Sequence, residues 1–528
     1  MNFIDRVVGW FSPRRAAERE SWRQYGEAIR SIGYDAGARH PTNGNWPAIT
    51  QSAEFTDRYD RDMVRNRARD LERNSDIAAS ILSAYKRNVV GRGFTLQAHT
   101  EDDALNSQID KLWREWCKAK NCDVTGQQSF TQMLRMAVER KKIDGGMLIH
   151  KCYTKGGLLP FKLQALEVDE LCTIWSTPHG KGNKVVGGIE YNQYNKPVGY
   201  WVQQYSIDGW ATETPIFYPA TEMIFYYTKR RPSQIREMSD MSVSLSRIRD
   251  INEFINAVAV KERVAACLAV FIKKQTPSVG VGRQNTAATT QHNYDGKSLA
   301  PGMISELNAN DSIEVVNPGS SSSEAAAFLR TEQQLTGAGQ GLAYETISRD
   351  MSGSTYSSAR QGSIEDELTF YEEIELLEEN VMDEIYETFV ISAVLAGLLP
   401  ILDFWENKTQ YLRHEWIASQ KKWVDPQKEA TAQKTSLQSG LKTYKQIAAE
   451  NGRDWRTMLD DIAEVSEYAD KLGLTIAGIN AAAGAGDGGD GNAGDDSADD
   501  QADTGDEEGD GESGGSSEND ESEENDNV

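Results

Sequence analysis

The sequence predicts an α+β chain that is mainly helical, and three observations carry that reading. Apolar residues recur at three- and four-residue steps over several long stretches. Residues 146–228 instead break into short aromatic and β-branched runs with turn residues between them. Beyond Lys471 neither Lys nor Arg occurs, and 18 of the 81 acidic residues fall between Asp487 and Asp526. The net charge of −25, less the −18 of that tail, leaves an ordinary −7 for the rest. With 528 residues, 39% of them hydrophobic, the chain can bury a large core and hold several domains.

Residues 1–50 mix charge, Gly and Pro and read as an irregular arm. From about Thr56 to Asn88 a helix is expected, with Leu71, Ala78, Ile81, Leu82 and Tyr85 on one face. It stops at Gly91 and Gly93, where Phe94-Thr95-Leu96 starts a strand. Two amphipathic helices follow, one carrying Ile109, Leu112, Trp113 and Trp116, the other Phe130, Met133, Leu134, Ala137 and Val138. In the β-rich block, Asn192–Pro197 reads as a hairpin turn. A helix from about Met241 to Val270 comes next, a rod of ~45 Å. Residues 274–320, rich in Gly, Pro and Asn, form a small excursion with strand candidates at Gly302–Leu307 and Ser312–Val316. A second helix opens on the capping box Ser321-x-x-Glu324.

The stretch "GLAYETISRDMSGSTYSSARQ", residues 341–361, bends at Gly353 between two helices. Ser358 and Gln361 are expected to cap the second of these. Its face runs through Ile364, Leu368, Tyr371, Ile374, Leu377, Val381, Ile385 and Phe389, and its other positions are strongly acidic, with Arg360 the single base. Residues 410–473 read as three short helices broken at Asp425-Pro426, Gly440 and Gly452. The tail 476–528 has no aromatic residue and too little apolar surface to offset chain entropy, so disorder is expected there. Such a tail keeps a large assembly soluble, or offers nucleic-acid-like charge to a basic partner.

Chemistry is hard to place on this chain. A serine nucleophile needs a base, and none of the six His is placed by sequence beside Ser357 or Ser358; "SSAR" also lacks the Lys of S-x-x-K. "DGKS" at 295–298 lacks the leading Gly of a phosphate loop, and "TGAGQG" at 336–341 reads as a helix C-terminus. The acidic helix holds Glu365, Glu372, Glu375 and Glu379 but no His, so a solvated face is expected rather than a metal site. "VERKKID" (138–144) and "TKRRPSQIR" (228–236) are local basic clusters of surface type. Five cysteines form no CxxC pair and read as reduced thiols. "FVISAVLAGLLPILDFW" (389–405), interrupted by Pro400, is shorter than the ~20 residues of a spanning helix and reads as a buried helix end. No cofactor is called for, no membrane is expected, and the profile is that of an assembly subunit rather than an enzyme.

Four segments, in order, resemble the lambda-type portal family of tailed phages. They are "RARDLERNSDIAASILSAYKRNVVGRGFTLQ" (67–97), "RRPSQIREMS" (230–239), the 341–361 stretch, and "VDPQKEATAQKTSLQSGLKTYKQIAAENGRD" (424–454). Glu237 stands where the family usually has Gly, and Thr355 where it has Asn. The resemblance runs from about 60 to 473 and leaves the arm and the tail outside.

The resemblance implies a ring, usually a dodecamer, at one capsid vertex. Such a ring nucleates head assembly with the major capsid and scaffolding proteins and docks the terminase large subunit. It passes double-stranded DNA without sequence specificity and later binds neck and head-completion proteins. It is assembled in the host cytoplasm and ends in the virion. Mapped here, it implies a wing over 51–240, stem helices at 241–273 and 321–336, and a clip at 274–320. It implies a channel loop within 337–358, a long acidic helix at 359–400 and a crown at 401–475. Arg349, Asp350, Met351, Ser352, Gly353, Ser354 and Thr355 would form the loop, and Glu365, Glu372, Glu375 and Glu379 the channel side of the helix. A metal-dependent nuclease of the packaging machinery, or a scaffold without a channel, are the alternatives.

Overall fold

A computed structural model describes residue 14 and residues 50–474, apart from 207, 212–213, 267–269, 275–310, 316–321 and 419–425. The expected arm, most of the excursion and the acidic tail lie outside the described residues. The architecture is α+β, as the sequence predicts. Helices α1 (Ala53–Asp57), α2 (Arg61–Asn74) and α3 (Asp76–Tyr85) lead to strand β1 (Thr95–Ala98). Helices α4 (Asp103–Trp116), α5 (Ala119–Cys122) and α6 (Phe130–Asp144) follow. The β-rich block then supplies β2 (Gly146–Tyr153), β3 (Phe161–Leu166), β4 (Lys184–Val186), β5 (Ile189–Tyr191), β6 (Pro197–Val202), β7 (Ile216–Pro219) and β8 (Met223–Tyr227). They form two antiparallel sheets, ordered β3-β2-β8 and β4-β5-β6-β7.

The single helix expected over 56–88 is three. Ser75 adopts an extended conformation (φ −129°, ψ 122°), and its hydroxyl accepts the Ala78 N–H. A cap-forming side chain in mid-run thus outcompetes the helical ladder. The hairpin turn at 192–197 is present: Asn195 has φ 58°, and Asn192 Oδ1 accepts the N–H groups of Tyr194 and Lys196.

An aromatic cluster welds the two halves of the first unit together. Trp116 stacks on Phe161 of β3 at 5.3 Å and donates its indole N–H to the Phe161 carbonyl at 3.0 Å. Trp113 meets Phe130 of α6 edge-on at 5.3 Å, and Phe389, some 270 positions later, at 5.0 Å. Such pairs add ~0.5–1.5 kcal/mol each beyond their buried area. At the end of α6, Gly145 has φ 91°, and a Cβ there would lie 2.4 Å from the Met238 carbonyl carbon. Only glycine lets the 236–240 segment approach so closely.

That segment feeds α7 (Leu245–Ala266), a rod of ~33 Å, shorter than expected because Val270 belongs to a strand. Strand β9 (Val270–Lys274) pairs antiparallel with β10 (Asp311–Val315), which is the second strand expected in the excursion; 302–307 is outside the described residues. Helix α8 (Ser322–Gln340) returns along α7, with Phe254 on Phe328 at 4.7 Å and Arg247 bridging Glu332 at 3.3 Å. Next come α9 (Tyr344–Ser348), α10 (Tyr356–Leu377), a π-turn at Glu378–Met382 and α11 (Asp383–Leu395). Phe389, Val390 and Ala393 are buried, as a buried helix end requires, but the chain just beyond exposes Leu395, Leu402 and Trp405. Among the described residues no helix is long and apolar enough to cross a membrane.

After α12 (Lys408–Tyr411), β11 (His414–Ile417) pairs with β1, Leu96 opposite Trp416. The three terminal helices are α13 (Pro426–Gln438), α14 (Tyr444–Glu450) and α15 (Trp455–Leu472), separated at Gly440 and Gly452 as expected. The chain forms two compact units, 1–458 and 459–528, the second described only as the remainder of α15 and two residues beyond it.

Candidate functional site

The stretch at 341–361 joins α8 to α10 through short, strongly anchored steps. Gly341 ends α8 at φ 66°, and a Cβ on Gly337 would lie 2.5 Å from the Leu342 carbonyl oxygen. The glycine-rich "TGAGQG" is therefore a helix end folded tightly on itself. Tyr85 donates to the Gln340 carbonyl at 2.6 Å, and Asp366 of α10, 4% exposed, accepts the Ala343 N–H at 2.6 Å and the Thr346 hydroxyl. Both anchors lie outside the loop proper.

From Arg349 to Thr355 the chain is almost wholly exposed. Arg349 ends α9 at φ 63°, a left-handed conformation unusual for a residue with a Cβ. Asp350 Oδ1 accepts the Ser352 hydroxyl at 2.6 Å and its N–H at 3.0 Å, which holds the carboxyl below its ordinary value. The cap of α10 is Thr355, not Ser358. Thr355 Oγ1 accepts the Ser358 N–H, and Ser358 Oγ accepts the Thr355 N–H at 2.9 Å. The pair Ser358–Gln361 comes too late, because the residues before Ser358 are already helical. Arg330, the only base on α8, lies beside the loop: its guanidinium is 5.2 Å from the Tyr344 ring centre. A Cβ on Gly353 would sit 3.2 Å from Arg330 Nη2.

Helix α10 departs from the continuous apolar face expected of it. Leu377, Val381, Ile385 and Phe389 are fully buried, but Ile364 (43%), Leu368 (57%) and Tyr371 (54%) are exposed. The successive three-residue steps from Leu368 to Leu377 are the cause: they add up to about two and a half turns, so the two leucines stand on opposite sides of a regular helix. Phe370 and Asp366 are buried in place of the outer three. Glu365, Glu372, Glu375 and Glu379 are exposed on the same outer side.

At the π-turn, burial pushes the Glu378 carboxyl up to about 7, with Asp383 adding to the shift and His414 opposing it. Its stabilising contribution is complete below the ordinary carboxylate range and is lost as pH rises through about 7. Glu378→Gln should therefore raise the melting temperature at pH 8 and leave it nearly unchanged at pH 4.5. The gain is on the order of 1 kcal/mol once partial exposure is discounted. Equal melting shifts at both pH values in calorimetry would refute this.

The missing base of the acidic helix comes from elsewhere. Lys141 of α6 is fully buried and places Nζ 2.7 Å from Glu373 and 2.8 Å from Asp240. Lys142 reaches Glu373 at 2.9 Å and lies 4.0 Å over the Tyr85 ring; Arg230 bridges Asp240 at 2.9 Å. Burial alone would raise the Asp240 carboxyl, yet Lys142 and Lys141 hold it below its ordinary value. "VERKKID" is thus not a surface cluster, and Asp366 and Glu373 are not part of a solvated face. The second basic cluster is partly internal too: Arg236 is 1% exposed and chelates the buried Glu237, which also meets Arg65 at 3.0 Å. The acid at the usual glycine position has its own counter-ions. Sequence reasoning passed over Lys141, Asp366 and Arg330. The signals were an acidic helix with Arg360 as its single base and one lone base on α8.

In the described loop no serine hydroxyl meets a histidine. Ser352, Ser354 and Ser358 spend their hydroxyls on local turns and the cap. Cys152 Sγ lies 3.1 Å from His150 Nδ1, but burial pushes the thiol up to about 11 and the imidazole down, so both are neutral at pH 7. Cys117, Cys122, Cys152 and Cys172 are free thiols; Cys267 is outside the described residues. Among the described residues no group of three or more His, Cys, Asp and Glu is placed to hold a metal.

The family described as "Phage portal protein, lambda family" matches residues 39–372, more than half of the chain and all of the loop. The chain belongs to that family. Its role is that of a portal, the head–tail connector of a tailed phage. It is 24% identical over 448 residues to a "Probable portal protein" of Halomonas phage phiHAP-1, covering 82% of this chain and 86% of that one. It is 19% identical to the "Portal protein" of Escherichia phage N15, over 84% of this portal and 89% of that one. It is likewise 19% identical to "Portal protein B" of Escherichia phage lambda, over 74% and 80%. Among solved structures it is similar to a chain of the "Virion of native gene transfer agent (GTA) particle" (13% identity, TM-score 0.40, 80% of this chain, 98% of that one). A chain of the "Neck of native GTA particle computed with C12 symmetry" matches at 12% identity and TM-score 0.40, over 73% and 93%.

Proposed function

We propose that this portal works as a closed ring, a dodecamer, at one vertex of the virion, with Arg349–Thr355 projecting into the DNA channel. The loop carries the reading. It is polar, exposed and bent, its hydroxyls are engaged in turns, and it hangs between two buried anchors at Tyr85–Gln340 and Asp366–Ala343. Such a loop can move without disturbing the core that holds it. Glu365, Glu372, Glu375 and Glu379 would repel phosphates and keep DNA from sticking.

The wing would be 51–240, the stem α7 and α8, the clip the excursion carrying β9 and β10, and the crown 401–475. The clip would meet the terminase large subunit and later the neck proteins. The wing and crown would face capsid and scaffolding proteins. Assembly would take place in the host cytoplasm. Translocation would be powered by a separate ATPase, the chain itself performing no chemistry and holding no cofactor. Negative-stain microscopy of the purified full chain should show rings with a central pore; a protein that stays monomeric, or gives particles without a pore, would sink the reading.

A further inference from the structure

Arg330 is the one base on α8, it is exposed, and among the described residues no carboxylate pairs with it. Glu332 of the same helix is taken by Arg247 at 3.3 Å. An exposed guanidinium without an acid is free to swing, yet this one has two close neighbours. The Tyr344 ring of α9 lies beside it, its centre 5.2 Å from Cζ. Gly353 at the loop tip is the other: a Cβ there would stand 3.2 Å from Nη2, 3.6 Å from Nη1 and 3.8 Å from Cζ. The three distances are short together, so the loop backbone meets the guanidinium as a whole and not one nitrogen.

Tyr344 is held in turn. Its hydroxyl donates to Asp350 Oδ2 at 3.3 Å, and Asp350 Oδ1 holds the Ser352 turn. These contacts close a circuit from α8 to Tyr344, from Tyr344 to Asp350, and from the loop tip back to α8. Among the described residues, Ser352 and Ser354 hydrogen-bond only inside the loop, so neither serine ties the tip to a helix. A planar cation suits this place. Arginine stacks flat on a ring and on backbone, whereas the compact ammonium of lysine does not.

We infer that Arg330 is a positioning residue of the channel loop: it is the strut on which Gly353 rests, and it sets how far Met351–Ser354 stands from α8. Residue 353 is glycine for the same reason, since a Cβ would press on the guanidinium. The effect of the strut on DNA rests on the channel-loop reading; the contact itself does not.

The test uses full-chain rings and millisecond hydrogen exchange read by mass spectrometry. Arg330→Ala should speed exchange over 349–355 by roughly two- to fivefold, the worth of an exposed cation–ring contact. Exchange at Ala343, whose N–H is held by Asp366, should not change. Arg330→Lys should act nearly as Arg330→Ala does, because it keeps the charge and loses the plane. Gly353→Ala should speed exchange in the wild type and add nothing to Arg330→Ala, since the three atoms nearest its Cβ all belong to Arg330. Ring count in native mass spectrometry and melting temperature should stay as in the wild type, while both Arg330 variants package several-fold less nuclease-protected DNA. Unchanged loop exchange in Arg330→Ala would overturn the strut and leave the channel reading standing. Wild-type exchange and packaging in Arg330→Lys would do the same, and would mean that the charge acts alone, as on a passing phosphate. Faster loop exchange with wild-type packaging would keep the strut and count against the channel role.

Discussion

Lys141→Ala should cost about 3–5 kcal/mol of stability. The ammonium is fully buried between two carboxylates, Asp240 at 2.8 Å and Glu373 at 2.7 Å. Alanine removes the attraction and leaves both acids to share Lys142 and the half-exposed Arg230. A buried charge that loses its partner keeps its desolvation cost, so the loss exceeds that of any surface pair. Glu415→Ala, which breaks the exposed bridge to Lys445, should cost below ~1 kcal/mol. Urea unfolding at fixed protein concentration compares the two, since assembly would otherwise shift both midpoints. Lys141→Ala combined with Glu373→Gln should cost clearly less than the sum of the singles, because both act on one network. A Lys141→Ala loss no larger than the Glu415→Ala loss would refute the account.

The same cluster explains what the sequence could and could not show. Period and capping are local, so the long helices, the β-rich block, the turn at 192–197 and the breaks at Gly440 and Gly452 were all legible. So was the order of the four family-like segments. What was not legible depended on partners far along the chain. Lys141 and Glu373 are more than 230 positions apart, and nothing local marks either as buried. Strand His414–Ile417 is too short to stand out, and exists because β1 offers it an edge. The face through Ile364 to Phe389 was read with one helical period throughout. Its steps of three between Leu368 and Leu377 carry the row round to the opposite side of a regular helix, so half of the face is core and half is surface. At the loop, the kind of cap was legible but not its position. Thr355 and Ser358 satisfy each other, whereas Gln361 turns instead to Glu365 at 2.9 Å.

Deleting Met351–Thr355 should leave rings intact and remove most nuclease-protected DNA from packaging reactions. The expectation for assembly follows from where the anchors are. Tyr85 holds Gln340, Asp366 holds Ala343 and Thr346, and Glu373 holds the two lysines, all outside the deletion. The deletion does remove the Thr355 cap, at a cost of ~1 kcal/mol, and the first turn of α10 can unwind to close the gap. That is small beside the buried frame. The expectation for packaging follows from what is lost. Without Met351–Thr355 the Asp350–Ser352 turn is gone, Arg330 has no loop to rest against, and the chain can no longer reach past the two helix ends. Thr355→Ala, which removes the cap alone, is the control: it should weaken α10 slightly and leave packaging near normal. Rings that package at the wild-type level without the loop would count against a channel role. Loss of rings would mean instead that the loop belongs to the frame, contrary to its exposure.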